Sequence, residues 1–285
     1  MKRAFVLNLD ADEELAGRSA RDLGVKARAR LVARSSELGL LVGDAYVLGT
    51  GDDALARGCV GLAFCPPPRA LASLAEAFAV PAPAPGFEVL VRVNHRKFCA
   101  DLGQTLQGAA FVHDLESVAA RMRSGEGVEW VLKHPHGYVG RMRHRSFELD
   151  AATLSFAKSC LAEAGGLELE PWVARTDDYA LHGYVARDGT LTLGEPTRQI
   201  CDGRGVWQKT SREHDLTTIE HAALVDETRR VGRALVEAGY FGPYGVDAFR
   251  FLHAGEPRFQ PRCEINARYT MGYAVGMGDR RPDLE

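Results

Sequence analysis

Glu264-Ile265-Asn266-Ala267-Arg268 (EINAR) closes the second of two apolar-patterned runs, Tyr244 to Leu252 and Arg258 to Ile265, joined by Ala254-Gly255-Glu256-Pro257. Both runs read as strands, with the tetrapeptide as the turn between them. Successive side chains of a strand point to opposite faces, so Glu264, Asn266 and Arg268 share one face. Asp247, on the first strand, reaches that face if the two strands pair. Two carboxylates and an amide oxygen make a hard oxygen cluster of the kind Mg²⁺ takes, with its other positions left to water and phosphate oxygens. Arg268 suits a phosphoryl group or the charge developed in its transfer. Exposed polar residues at a strand end would give the same pattern, so these residues alone leave both readings open.

Two segments upstream bear on the choice. Glu129 to Lys133 (EWVLK) reads as a strand that ends in a lysine and runs into His136-Gly137-Tyr138-Val139-Gly140-Arg141. A point charge beside a glycine loop with free N–H groups suits the phosphates of a nucleotide. It is not a P-loop, because the lysine precedes the glycines and no GK[ST] follows; a plain hairpin fits equally well. Leu167 to Ala174 reads as a strand interrupted at Glu170-Pro171-Trp172-Val173. Proline breaks the ladder there, so backbone groups can point into an apolar slot suited to adenine. Asp177 and Asp178 follow within reach of ribose hydroxyls. An edge strand with a buried tryptophan is the plainer alternative.

Working outward, Phe87 to Leu102 has helical spacing and carries Asn94-His95-Arg96-Lys97, while Ala151 to Glu163 and Ile219 to Ala238 read as helices. Ala109 to Val112 is a short strand, and Asp114 caps a helix running to about Arg123. Val185 to Leu193 holds a tight turn between two short strands. Val80 to Gly86 (VPAPAPG) has proline at alternate positions, which forbids helix and central strand and predicts a stiff connector. Before it, strand candidates at Arg3 to Leu9, Ala45 to Leu48 and Cys59 to Cys65 alternate with helical stretches, the pattern of a small α/β unit.

Taken in order, the NHRK helix start, the strand-end lysine with its glycine loop, EPWV, GVDAF and EINAR resemble the ATP-grasp superfamily over roughly Asn94 to Gly276. The resemblance implies an α/β and α+β chain. Two α+β subdomains, about 93–166 and 167–285, would clasp ATP behind a small α/β N-terminal domain at 1–92. It implies Lys97 and Lys133 as phosphate contacts, and Gly137 to Arg141, with Gly137 and Gly140 as its glycines, as the loop closing over the phosphates. Glu170, Trp172 and Val173 would form the adenine hinge, with Asp177 the better-spaced ribose ligand and Asp178 the second. Asp247, Glu264 and Asn266 would hold Mg²⁺, or Mn²⁺ in its place. Lys133 and Arg268 would be catalytic. GPYGV before Asp247 lacks the arginine that some peptide-ligase relatives carry two residues earlier, and Arg268 is the candidate to compensate.

The implied reaction activates a carboxylate as an acyl phosphate for attack by an amine or thiol. The carboxylate would belong to a small molecule or peptide, and a homodimer would be in keeping with the superfamily. The alternative is a non-catalytic ATP-binding regulatory module, against which the full metal set argues. Arg198, Gln199 and Arg204 are candidates for the acceptor cleft. A His134/His136 pair is read as solvated or phosphate-facing rather than zinc-binding.

Composition limits the other classes. A net charge of -3 without a basic run gives no nucleic-acid footprint. The longest apolar stretches, about eight residues, fall short of the roughly 20 that span a bilayer. The start MKRAFVLNLDADEE is read as neither a secretory signal nor a glycine-rich dinucleotide turn. Six scattered cysteines without a CxxC pair predict thiols of a reducing, cytoplasmic setting. Only six of the 35 lysines and arginines are lysine, which singles out Lys97 and Lys133 in their organised contexts.

Overall fold

Three sheets surround one cleft in the computed structural model, which describes residues 2–18, 29, 32–33, 35–51, 53–103, 105–125, 127–137, 142–201 and 207–285. The first sheet comprises β1 (Arg3–Val6), β2 (Tyr46–Val47), β3 (Val60–Ala63) and β4 (Val80–Pro81), parallel in the order β2-β1-β3-β4. Helices α1 (Ala11–Leu15), α2 (Ser36–Val42) and α3 (Pro68–Glu76) belong to this unit. Alternate residues of β1 feed two cores. Ala4 and Val6 pack with Leu74 on one side, and Phe5 packs with Leu38, Leu41, Tyr269 and Tyr273 on the other. Burial on both faces is the ordinary condition of a parallel sheet. The expected connector begins as an edge strand, because Val80 and Pro81 pair with β3 before the prolines end the ladder.

The helical stretch expected from Phe87 to Leu102 is two helices, α4 (Phe87–Val93) and α5 (Arg96–Asp101). Asn94 makes the break. Its amide nitrogen donates to Leu90 O at 2.9 Å, and its amide oxygen accepts the Ala267 N–H at 2.9 Å. His95 then caps α5, its Nδ1 accepting the Lys97 N–H at 3.1 Å.

The second sheet is antiparallel, in the order β5-β8-β6-β7, from β5 (Ala110–Val112), β6 (Trp130–Lys133), β7 (Arg143–Ser146) and β8 (Leu167–Pro171). Helices α6 (Leu115–Ser124) and α7 (Ala151–Ala164) cover one face, with Val118, Met122, Ala157 and Cys160 meeting Leu132 and Leu169. The other face is left to the cleft.

The third sheet comprises β9 (Ala174–Val185), β10 (Leu191–Leu193), β11 (Thr197–Cys201), β12 (Trp207–Ser211), β13 (Gly242–His253) and β14 (Glu256–Asn266). Its order is β12-β11-β9-β13-β14, and β10 also pairs with β9. The β13–β14 hairpin turns at Ala254 and Gly255, both at positive φ (51° and 83°), the left-handed pair that matches strand twist. Helix α8 (Thr218–Glu237) starts with a Thr217/Glu220 capping box and buries Leu224, Thr228, Val231 and Leu235 along one stripe against this sheet. A short α9 (Tyr273–Met277) follows β14 and packs beside the first sheet. No helix among the described residues is long and apolar enough to cross a membrane.

Candidate functional site

The cleft, 660 Å³, lies between the open faces of the second and third sheets, and Leu9, Asp12 and Phe64 of the first unit close one end. Its floor is the β13–β14 hairpin. The two strands pair in a register that sets Asp247 directly opposite Glu264, and Asn266 lies two residues on, on the same face. Asn266 Nδ2 donates to Asp247 Oδ2 and Gln199 Nε2 donates to Asp247 Oδ1, both at 3.0 Å. Burial, reinforced by the Glu264 charge, pushes the Asp247 carboxyl up to about 7.

These residues suit a hard divalent ion. Among the described residues no group of three or more His, Cys, Asp or Glu side chains gathers as a metal site. The floor instead offers two carboxylates and one amide oxygen. That set leaves most of an octahedral ion's positions to phosphate oxygens and water, as Mg²⁺ prefers beside a nucleotide. Of the two acids set together by strand pairing, Asp247 is hard to ionise, a state that the positive charge of such an ion would offset.

Facing this floor, β6 and β8 carry a dense set of opposite charges. Lys133 Nζ lies 2.5 Å from Glu170 and 3.6 Å from Glu168, and both carboxylates are buried. Burial pushes Glu170 up, but Lys133 and then Arg175 outweigh it and hold its carboxyl below the usual range. Glu168 stays raised by burial, with Lys133 unable to offset it fully beside Glu170.

Arg96, at the first position of α5, spans the cleft. Its Nη2 meets Glu264 at 3.0 Å, its Nη1 lies 3.5 Å from Glu168, and its Nε donates to His134 O at 3.2 Å. Lys97 does not join them. It turns outward, pairs with Asp101 one helical turn on at 2.7 Å, and lines no part of the cleft. At this helix start Arg96 faces the cleft and Lys97 does not, because adjacent helical residues point roughly 100° apart.

The ribose pair divides for a related reason. Asp178 lines the cleft, and burial raises its carboxyl. Asp177, preferred on spacing, lies one strand residue away and pairs with Arg198 and Arg250. Both residues line the outer depression, and of the two Asp178 alone also lines the cleft. In the expected hinge, the Trp172 N–H donates to Glu129 O at 2.7 Å and the ring is 38% exposed at the cleft rim, not buried. Val173 packs with Leu106, Phe249 and Cys263 and lines a shallower outer depression.

Arg268 enters from the far end. It is held by Asp12 of α1 at 2.9 Å, and its Nε is buried without a partner among the described residues. Gly137 lines the cleft, whereas Gly140, with Tyr138, Val139 and Arg141, lies outside the described residues, as does Arg204. Of the acceptor candidates, Gln199 reaches Asp247 and Arg198 pairs with Asp177. The His134/His136 pair is buried, not solvated. His134 Nδ1 accepts the His136 N–H at 3.1 Å, and Arg18 of the first unit covers His134 at 3.4 Å. Burial drives His136 down to about 3, so the ring is neutral.

Sequence reasoning missed Arg96, Asp12 and Arg175 as cleft residues. Only Arg96 had a signal, its place in the helix start already singled out for Lys97.

No protein-family model matches the sequence, and no curated protein matches it. Solved structures do. D-alanyl-alanine synthetase A from Vibrio cholerae superposes with a TM-score of 0.53 at 14% identity, over 93% of this chain and 88% of that one. N5-carboxyaminoimidazole synthetase from Staphylococcus aureus, complexed with ADP, gives 0.52 at 11% identity over 94% and 71%. Carboxyaminoimidazole ribonucleotide synthase from Aspergillus clavatus, complexed with ATP, gives 0.50 at 18% identity over 94% and 70%. With its three sheets around one cleft and the acid pair on the terminal hairpin, the chain has the ATP-grasp fold.

Proposed function

We propose that the protein is an ATP-dependent ligase, which converts a carboxylate to an acyl phosphate for attack by an amine or thiol. The observation that carries this reading is the meeting of Asp247, Glu264 and Asn266 on the cleft floor, ringed by Lys133, Arg96 and Arg268. Two of the similar structures hold ADP or ATP, which supports a nucleotide in the same cleft. Under this reading Asp247, Glu264 and the Asn266 amide oxygen hold Mg²⁺, whose charge offsets that of the phosphates.

The chain's own groups then have distinct tasks. Lys133 and Arg96 orient the phosphates between the sheets, and Asp178 takes a ribose hydroxyl. Arg268, kept in place by Asp12, sits where the acid would enter from the N-terminal side. A carboxylate oxygen attacks the γ-phosphorus and ADP leaves; the acceptor then displaces phosphate, which carries that oxygen away. Both attacking acid and phosphate are anions, so closely placed cations lower the barrier by countering their repulsion. The domains at 1–92, 93–166 and 167–285 would supply the entrance, the phosphate-binding sheet and the acid floor. All six cysteines are free, which supports the cytoplasmic setting.

Hydroxylamine traps acyl phosphates as hydroxamates whatever the natural acceptor. The protein with Mg-ATP, hydroxylamine and a panel of ¹⁸O-labelled acids should give hydroxamate for one acid class, with one ¹⁸O appearing in the released phosphate. Nucleotide binding with no acid-dependent phosphate release across the panel would instead favour a non-catalytic nucleotide-binding module.

A further inference from the structure

Arg145 stands on β7 opposite Val131 of β6, and two residues before it Arg143 stands opposite Lys133. All four line the cleft, so the Arg145 side chain leaves the sheet on the cleft side. Its guanidinium carbon lies 3.5 Å from the centre of the Trp172 ring. Glu129 fixes the fork in its own plane, taking Nε at 3.0 Å and Nη2 at 2.6 Å on separate carboxylate oxygens. The Glu129 carbonyl also accepts the Trp172 N–H. One residue therefore holds both members of the stack. The Arg145 side chain nonetheless stays 41% exposed.

With Nε and Nη2 held by Glu129, the side-on edge of the guanidinium is not open to a bidentate phosphate. It still offers its Nη1 hydrogens and its flat outer face. A planar cation backed by an aromatic ring is a surface on which another planar, electron-rich ring can stack. Deeper in the cleft, Lys133 and Arg96 already supply the charge a phosphate needs.

Resting on the nucleotide reading above, we infer that Arg145, locked by Glu129 against Trp172, forms a wall of the base slot and recognises the nucleotide's heterocycle by stacking. It is a specificity residue for the base and makes no contribution to phosphate binding.

The test is calorimetric titration of wild type, Arg145→Ala and Arg145→Lys with Mg-ADP and with Mg-tripolyphosphate as a base-free probe. Melting of the ligand-free proteins checks folding. Both variants should weaken Mg-ADP about tenfold and leave tripolyphosphate unchanged. Lysine keeps the charge but not the flat face, so its failure to restore ADP affinity marks stacking even where tripolyphosphate binds too weakly to measure. Rescue by lysine, or equal loss for both ligands, would make Arg145 a phosphate cation and overturn the inference. Unchanged ADP affinity in Arg145→Ala would reduce the stack to a surface ion pair and overturn it as well. Failure of wild type to bind Mg-ADP is a different result, which removes the nucleotide reading itself.

Discussion

On the small-sheet side of the cleft, Lys133 lies between Glu168 and Glu170, and Arg96 and Arg175 complete the set. On the large-sheet side, among the described residues Asp247 has only amide donors, from Gln199 and Asn266, and its neighbour Glu264 has only Arg96, which arrives from another element. Buried charge is tolerated when it is paired and hydrogen-bonded, and otherwise the group gives up its charge. The first set is charge-paired within the protein, although burial still raises Glu168. In the second, Glu264 meets Arg96 but Asp247 has no ion pair among the described residues, and burial with the Glu264 charge pushes its carboxyl up to about 7. The contrast separates residues whose charges are met within the protein from residues that, under the proposed function, would hold a cation.

Substitutions on the two sides should therefore change stability in opposite directions. The largest effect belongs to Lys133→Met. It leaves Glu168 and Glu170 buried without their nearest cation, and the cost should be about 3–5 kcal/mol, read as a lower urea midpoint. Stability equal to wild type would mean that the small-sheet charges are not structural and would break the contrast.

Asp247→Asn should go the other way. The folded-state value near 7 lies above the unfolded value of about 3.9, so between those pH values the folded protein holds the extra proton. Ligand-free stability then falls as pH rises from about 4 to 7. The Asn variant escapes that loss. It should match wild type near pH 4 and exceed it at pH 8 by on the order of 2 kcal/mol, while losing any response to Mg-nucleotide. Melting curves across pH read this directly, and a destabilised Asn variant at pH 8 would contradict it.

The smallest effects compare neighbours. Lys97→Ala removes an exposed pair one helical turn long, and stability should change by no more than about 0.5 kcal/mol, with nucleotide affinity intact. Arg96→Ala should lose affinity well beyond that in the same titration. Equal affinities for the two variants would return the phosphate contact to Lys97.

The residues that could be read from sequence share a physical basis. Glu264, Asn266 and Asp247 were legible because strand alternation is strict, and a hairpin joined by four residues can pair in few ways. Whether Lys97 or Arg96, and Asp177 or Asp178, lines the cleft was not legible, because sequence fixes their element but not which of two adjacent residues faces inward. Strand β9 was missed over most of its length because Arg175, Asp177 and Asp178 interrupt the apolar pattern, though each is paired across the sheet or into the cleft. β11 and β12 escaped for the same reason. Arg18, more than a hundred residues away, contacts the buried His134, and no local pattern carries that contact. Asp12 reaches Arg268 over a still longer separation.

Thermal unfolding of wild type and Glu264→Gln, with and without Mg-ADP, tests most directly whether the acid floor holds a nucleotide-bound cation. At 100 times its dissociation constant the ligand should stabilise wild type by about 2.7 kcal/mol, a shift of several degrees. The shift should require Mg²⁺ and shrink or vanish in the variant. No shift in wild type at saturating nucleotide, or an equal shift in both proteins without Mg²⁺, would contradict the account.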